Sequence, residues 1–391
     1  IHNVTPSRSL EFFVSNAQWI DAWQTPLEAM TVALVAAVDK HIVKVAPPSA
    51  AAPATTSGTA PQAASATAAE TAVTEAAATE AIVGRLKERA ELAALLMSAG
   101  TRLVTLLGPG GIGKSTLAAA VAANLREHFA DGVFEVALAA LSHGEQIYAA
   151  VADAMRLKTI SERPLPPQLF AHLAGKQTLI VLDNVEQLVD GAVHIKAVLD
   201  GAPAARILTT SRERLNLRDE VLFRLEGLPV PAGDADASNE SIALFLRYAQ
   251  RADPSLLLDD RAYAEIANIC RLVSGMPLAI VLAASSTDAL SVREIGAEIG
   301  RSLDVLESEM HDLPARQRSM RGVLDSTWAR LSVPEQQAFA RLSLFRGGFT
   351  REAALAVTGA TVRNLVSLHG KSLIENDDGR YSIHELLRQF A

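Results

Sequence analysis

Residues Arg102 to Thr116 read RLVTLLGPGGIGKST: an apolar run breaks into glycines and ends on a lysine and two hydroxyls. Gly108, Gly113, Lys114 and Ser115 satisfy the spacing G-x-x-x-x-G-K-[ST], after a strand-like run and at the head of a helix-like one, which is the setting that spacing needs. Each residue type has a chemical reason. Glycines let the backbone curl so that the N–H groups of Gly110, Gly111, Ile112 and Gly113 turn inward on a phosphate. The start of the following helix adds partial positive charge. Lys114 should reach β- and γ-phosphate oxygens. Ser115 should bind Mg2+, a hard cation that takes oxygen ligands, and Thr116 should lie near the α-phosphate.

Two further stretches fit the same chemistry. In TLIVLDNVE an apolar strand delivers Asp183 about 70 residues after the phosphate loop. In a parallel sheet that end of the strand faces the ligand crevice, so Asp183 should hold Mg2+ directly or through water. Asn184 follows instead of a second carboxylate, which leaves Glu186 as the nearest acid for polarising water; binding without fast hydrolysis is expected. In ARILTTSRERL a strand ends in Thr210, Ser211 and Arg212. Arg212 is either a solvated surface arginine or a sensor beside the γ-phosphate, and the company of the other two motifs favours the sensor. VSGMPLAIVLAAS interrupts helical periodicity at Pro277, which breaks the helix before it. That break either presses Met276 and Pro277 on a nucleotide base or is an ordinary turn. His384 in YSIHELLRQFA sits at a strand–helix junction, where a capping or core histidine is the commoner reading.

The elements that position these residues are legible in the pattern. From Ile82 strands and helices alternate, with candidate strands at 103–107, 133–138, 178–182, 206–210 and 221–225, which implies a parallel sheet covered by helices. GLPVPAGDADASN closes that α/β domain at residues 81–230. Residues 231–324 are helical in pattern, and residues 325–391 read as short helices and then strand, turn, strand, helix: a winged-helix domain. Upstream, APPSAAAPATTSGTAPQAASA and its continuation, residues 46–80, hold almost nothing large, so they cannot bury enough apolar area to offset their ordering entropy and read as a disordered linker. Residues 1–45, with Phe12, Phe13, Trp19 and Trp23, read as the closing part of another domain. The chain begins with Ile1 and stops inside a helical pattern, so a longer parent protein is expected.

Bulk properties narrow the function. The 391 residues carry a net charge of -8 and a single cysteine. That balance argues against a generally basic nucleic-acid binder. One cysteine makes no internal disulfide, which fits a reducing cytoplasm; Cys270 lies in an apolar helical setting and reads as a core thiol. No run of about 20 apolar residues suggests a membrane span. The nine histidines show no metal-like grouping.

Taken in order, IVGRLKERAEL, GPGGIGKST, LIVLDNVE, ILTTSR, GMPLAI, LSLFRGGFTREAA and YSIHELLRQFA resemble the NB-ARC type of STAND ATPase over residues 81–391. The resemblance implies a nucleotide-binding domain, a helical domain and a winged-helix domain closing over ADP. It implies Ile82, Val83 and Arg85 beside adenine and ribose, Pro277 on the base, and His384 contacting the ADP phosphate, with Glu385 where the family carries aspartate. Residues 1–45 resemble the tail of a TIR-like effector domain. The expected activity is an ADP/ATP-controlled switch with slow hydrolysis, assembling into a ring or higher oligomer when a missing C-terminal region senses a trigger. The alternative is an ATP-dependent transcription regulator, but Arg363 and Lys371 alone are thin for DNA phosphates. An ordinary metabolic or motor NTPase is a third possibility, without a substrate signature beyond nucleotide.

Overall fold

The computed structural model describes residues 82–188, 190–232, 238–256, 259–308 and 317–391. The effector remnant and the linker expected at residues 1–45 and 46–80 lie outside the described residues. The first unit is built on a five-stranded sheet: β1 (Leu103–Leu107), β2 (Val133–Ala137), β3 (Leu179–Asp183), β4 (Arg206–Ser211) and β5 (Glu220–Arg224). All pairs are parallel, in the order β2-β3-β4-β1-β5. The central strands are buried almost throughout, which is why they read as unbroken apolar runs rather than alternating ones.

Helices cover both faces. α1 (Leu86–Met97) and α2 (Lys114–Leu125) supply Leu92, Leu96, Leu117 and Val121 to the core on one side. α3 (Gln146–Ala154), α4 (Leu165–Leu173) and α5 (Gly191–Gly201) supply Ile147, Leu169 and Ile195 on the other. β1 lies between β4 and β5, so the chain reverses direction across the sheet at β1. Such a switch point opens a crevice beyond the carboxyl ends of the strands. The register brings Leu107 level with Ser211 and Leu182 level with Thr209, so the phosphate loop, Asp183 and Arg212 leave the sheet side by side.

A helical unit follows: α6 (Glu240–Ala252), α7 (Asp260–Leu272), α8 (Pro277–Ser285) and α9 (Val292–Ile299). Asn239, Asp259 and Ser291 cap α6, α7 and α9 through their side chains; each such cap contributes about 1 kcal/mol. Cys270 is fully buried there, and burial pushes its thiol up to about 11, so it is the core thiol expected. Met276, in the turn before α8, is also fully buried in this core. Its side chain is held by apolar neighbours.

The C-terminal unit holds α10 (Met320–Trp328), α11 (Val333–Leu342), α12 (Arg351–Thr358), α13 (Val362–Gly370) and α14 (Glu385–Phe390), with β6 (Phe349–Thr350), β7 (Glu375–Asp377) and β8 (Arg380–Ser382). β7 and β8 form the expected hairpin, and β6 adds a third antiparallel strand. The domain boundary expected after residue 324 falls inside α10, whose cap is Ser319 and whose buried face runs Met320, Val323, Leu324, Thr327. One apolar cluster runs through the helical and C-terminal units, from Leu228 to Leu387. Among the described residues no helix is long and apolar enough to cross a membrane.

Candidate functional site

The loop after β1 is shaped by backbone that only glycine adopts cheaply: Gly111 and Gly113 have φ of 83° and 93°. Close approach matters as well. A Cβ on Gly110 would stand 2.6 Å from Val323 Cγ1, and one on Gly108 2.9 Å from the carbonyl of Leu225. α2 begins at Lys114 with Gly113 as its cap, so its free N–H groups face the loop. Lys114 is buried, and its ammonium donates to the carbonyls of Gly108 at 2.8 Å and Pro109 at 2.9 Å. Burial lowers its pKa to about 8; Glu186 and Asp183 support the charge and Arg212 opposes it.

Asp183 closes β3 and gathers the hydroxyls beside it. Its Oδ1 accepts from Ser115 Oγ at 2.6 Å and from Thr210 Oγ1. Thr210 Oγ1 in turn accepts from the N–H of Asn184, which holds a left-handed φ of 65°. The two side chains expected on Mg2+ are therefore already in contact, and Thr116 is exposed one residue further along the helix.

Arg212 lies against the loop: its Cζ is 3.0 Å from where a Cβ on Gly110 would be. Its Nε pairs with Glu186 Oε1 at 3.2 Å, and Nη1 donates to Ser326 Oγ at 2.8 Å and Thr327 Oγ1 at 2.6 Å. The side chain is thus no solvated arginine; it ties the sheet unit to α10. Glu186, whose side chain is only 2% exposed, keeps Oε2 without a partner among the described residues. Its main-chain carbonyl accepts both Nη1 and Nη2 of Arg330 at 2.7 Å.

Pro277 begins α8 and meets the loop, with its Cγ 3.8 Å from a Cβ placed on Gly113. The N–H of Leu278 donates to the carbonyl of Gly111 at 3.1 Å. Ile82 packs on the sheet unit and Val83 on the helical core. Arg85 N–H donates to Glu240 Oε2 at 3.1 Å, while its guanidinium is taken up by Glu88 and the carbonyls of Glu226 and Gly227. The Arg85 side chain therefore bolts the start of the sheet unit to the segment that follows β5. His384 caps α14: its Nδ1 accepts the N–H of Leu386 at 3.2 Å, so the neutral ring carries its proton on Nε2. That nitrogen is buried without a partner among the described residues, and burial lowers the ring's pKa to about 4. α14 packs on α10, whose Val323 touches the loop. His384 thus stands one helix removed from the loop, with no hydrogen bond to it among the described residues.

Residues 83–219 match the NB-ARC domain. The Mycobacterium tuberculosis protein Rv0894, of uncharacterized function, is 30% identical over 325 residues, an alignment covering 80% of this chain and 80% of that protein. This chain belongs to the NB-ARC family of P-loop ATPases. An HTH-type transcriptional regulator of M. tuberculosis, Rv0890c, is 32% identical to this NB-ARC ATPase over 305 residues, 75% of this chain and 34% of that protein. Regulatory protein AfsR of Streptomyces coelicolor is 26% identical over 300 residues, 73% of this chain and 28% of AfsR. The chain spans about a third of the length of the regulators it matches.

The residues present in this NB-ARC ATPase fit a magnesium nucleotide. The start of α2 turns its free amides toward the loop, the buried Lys114 ammonium lies against the loop carbonyls, and Ser115 with Asp183 offers two hard oxygens. Mg2+ takes one or two protein carboxylates and completes its shell with phosphate and water. His384 Nε2 is a buried donor awaiting an acceptor. Sequence reasoning missed Glu240, Ser326, Thr327 and Arg330. None lies in a motif, and each reaches the site across more than 100 positions of chain.

Proposed function

We propose that this chain is the nucleotide-controlled switch of a larger STAND-type signalling protein. One observation supports the reading above others: the groups that should read the phosphates also hold the units together. Arg212 and the Glu186 carbonyl reach α10 and Arg330, and Leu278 reaches the loop carbonyl of Gly111. A nucleotide in the loop would add its phosphate charge to that junction, to be met by Lys114, the α2 amides and His384, with Mg2+ on Ser115 and Asp183. A ligand shifts such an equilibrium only by binding one arrangement better than the other. ADP favours the docked arrangement, and ATP loosens it and allows copies to assemble. With Asn184 in place of a second carboxylate and Glu186 paired to Arg212, hydrolysis is slow.

A DNA-binding role is the second reading, favoured by the name of the M. tuberculosis relative. Lys371, one of its two candidate cations, is bound to Glu335 at 2.8 Å, and the wing turn carries Asp377 and Asp378. Both features disfavour a wing that reads phosphate. The test of the switch is the purified chain by light scattering with Mg·ADP or Mg·ATP, beside Lys114→Ala. The expected result is a monomer with ADP, larger species with ATP, and a variant that responds to neither. Failure of the intact chain to bind either nucleotide would overturn the reading.

A further inference from the structure

Glu186 sits in a single 3₁₀ turn, Val185–Gln187, entered through the left-handed Asn184. So short a turn has few hydrogen bonds of its own, and its orientation depends on what grips it from outside. The grip comes from the C-terminal unit. Arg330, just beyond α10, places Nη1 and Nη2 each 2.7 Å from the Glu186 carbonyl oxygen. The same helix holds the other partner of the ion pair, because Ser326, Thr327 and the Val323 carbonyl accept from Arg212 Nη1. Backbone of the acid and guanidinium of the base are thus pinned by one element. The carboxylate itself is poorly served: Oε1 meets Arg212, and Oε2 is buried without a partner among the described residues. Leaving a buried charged oxygen unpaired costs free energy, so the pair stays in this pose because its neighbours impose it.

We propose that Arg330 is a positioning residue through which the C-terminal unit keeps Glu186 turned onto Arg212, so that undocking releases both groups together. The inference deepens the switch reading and rests on it. It assigns the docked arrangement a specific restraint: neither the acid nor the arginine beside the phosphate loop is free while Arg330 holds its carbonyl.

The test is hydrogen exchange of the full chain with and without Mg·ADP, comparing wild type, Arg330→Ala, Arg330→Lys and Glu186→Gln, together with release of a fluorescent ADP. Losing a grip worth one charge-assisted bond, roughly 1.4 kcal/mol, corresponds to about tenfold. Arg330→Ala should therefore speed exchange across residues 184–188 about tenfold and hasten ADP release, with Arg330→Lys between it and wild type. Glu186→Gln, which keeps the carbonyl but weakens the pair, should speed exchange at residues 323–328 instead. Wild-type exchange at 184–188 in Arg330→Ala overturns the proposal, as does faster exchange there with unchanged ADP release. Should Arg330→Ala fail to fold, the Arg330→Lys and Glu186→Gln arms decide by the same criteria. Exchange is also read without nucleotide, so a chain that binds no ADP sinks the switch reading while the grip on residues 184–188 is still decided.

Discussion

Lys114 shows how much of the site is a matter of single residues. Buried and, among the described residues, bonded to two carbonyls, its ammonium is lowered to about 8, while an ordinary lysine titrates at about 10.4. A phosphate beside it would favour the charged form. At a pH one unit above that midpoint, binding of ADP should draw a proton from solvent, and affinity should fall as pH rises past about 8. Calorimetry in two buffers of different ionisation heat measures this uptake; identical binding heats would mean that Lys114 does not meet the phosphates. Lys114, Ser115 and Asp183 were legible in the sequence because a local motif fixes the first two and an apolar strand the third. The pairing of Glu186 with Arg212 was not, since it depends on Arg330, which lies 144 positions away along the chain.

At the scale of elements, the edge strand β5 is where the C-terminal unit leans on the sheet. Arg224 Nη2 lies 2.8 Å from His369 Nε2, and His369 Nδ1 lies 3.1 Å from the carbonyl of Ile374. A carbonyl only accepts, so Nδ1 carries the proton and Nε2 receives the arginine's N–H. Burial lowers the His369 pKa from 6.5, and Arg224 and Arg214 add to that, against the pull of the Ile374 carbonyl. The unfolded or undocked ring therefore binds a proton more readily than the docked one. The contact is fully present above about 6.5 and is lost as pH falls below it. Acidification should speed hydrogen exchange along β5, and His369→Gln should flatten that dependence; an equally steep profile in the variant would assign it elsewhere. The strands themselves were readable to within a residue, because central strands buried on both faces leave unbroken apolar runs. β6 was not, being only Phe349–Thr350 and held by stacking of Phe349 between Phe345 and Tyr381. α10 was missed as a boundary because its apolar face runs unbroken through residue 324.

Across the whole molecule, the sheet unit keeps its own two cores, whereas the helical and C-terminal units share one. Their junction with the sheet unit carries polar contacts made by the Arg85 main chain, Arg212, Arg224 and Arg330. Such a junction separates more readily than a shared apolar core, and a ligand bound across it should couple the two sides. A ligand at 100 times its dissociation constant adds about 2.7 kcal/mol to the form that binds it. His384 offers a way to learn whether the C-terminal unit takes part in that coupling. Asparagine in its place can still cap α14 by accepting the N–H of Leu386, but it removes the buried Nε2–H that has no partner among the described residues. Without nucleotide, His384→Asn should therefore melt near wild type, because the lost donor was bonded to nothing. With Mg·ADP the wild-type midpoint should rise by several degrees, about 2–4 °C per kcal/mol for a chain of this size, and the variant's by clearly less. A matching rise in both, read by calorimetric scans at saturating ADP, would remove His384 from the nucleotide site and leave α10 and Arg330 as the C-terminal unit's route to the phosphates.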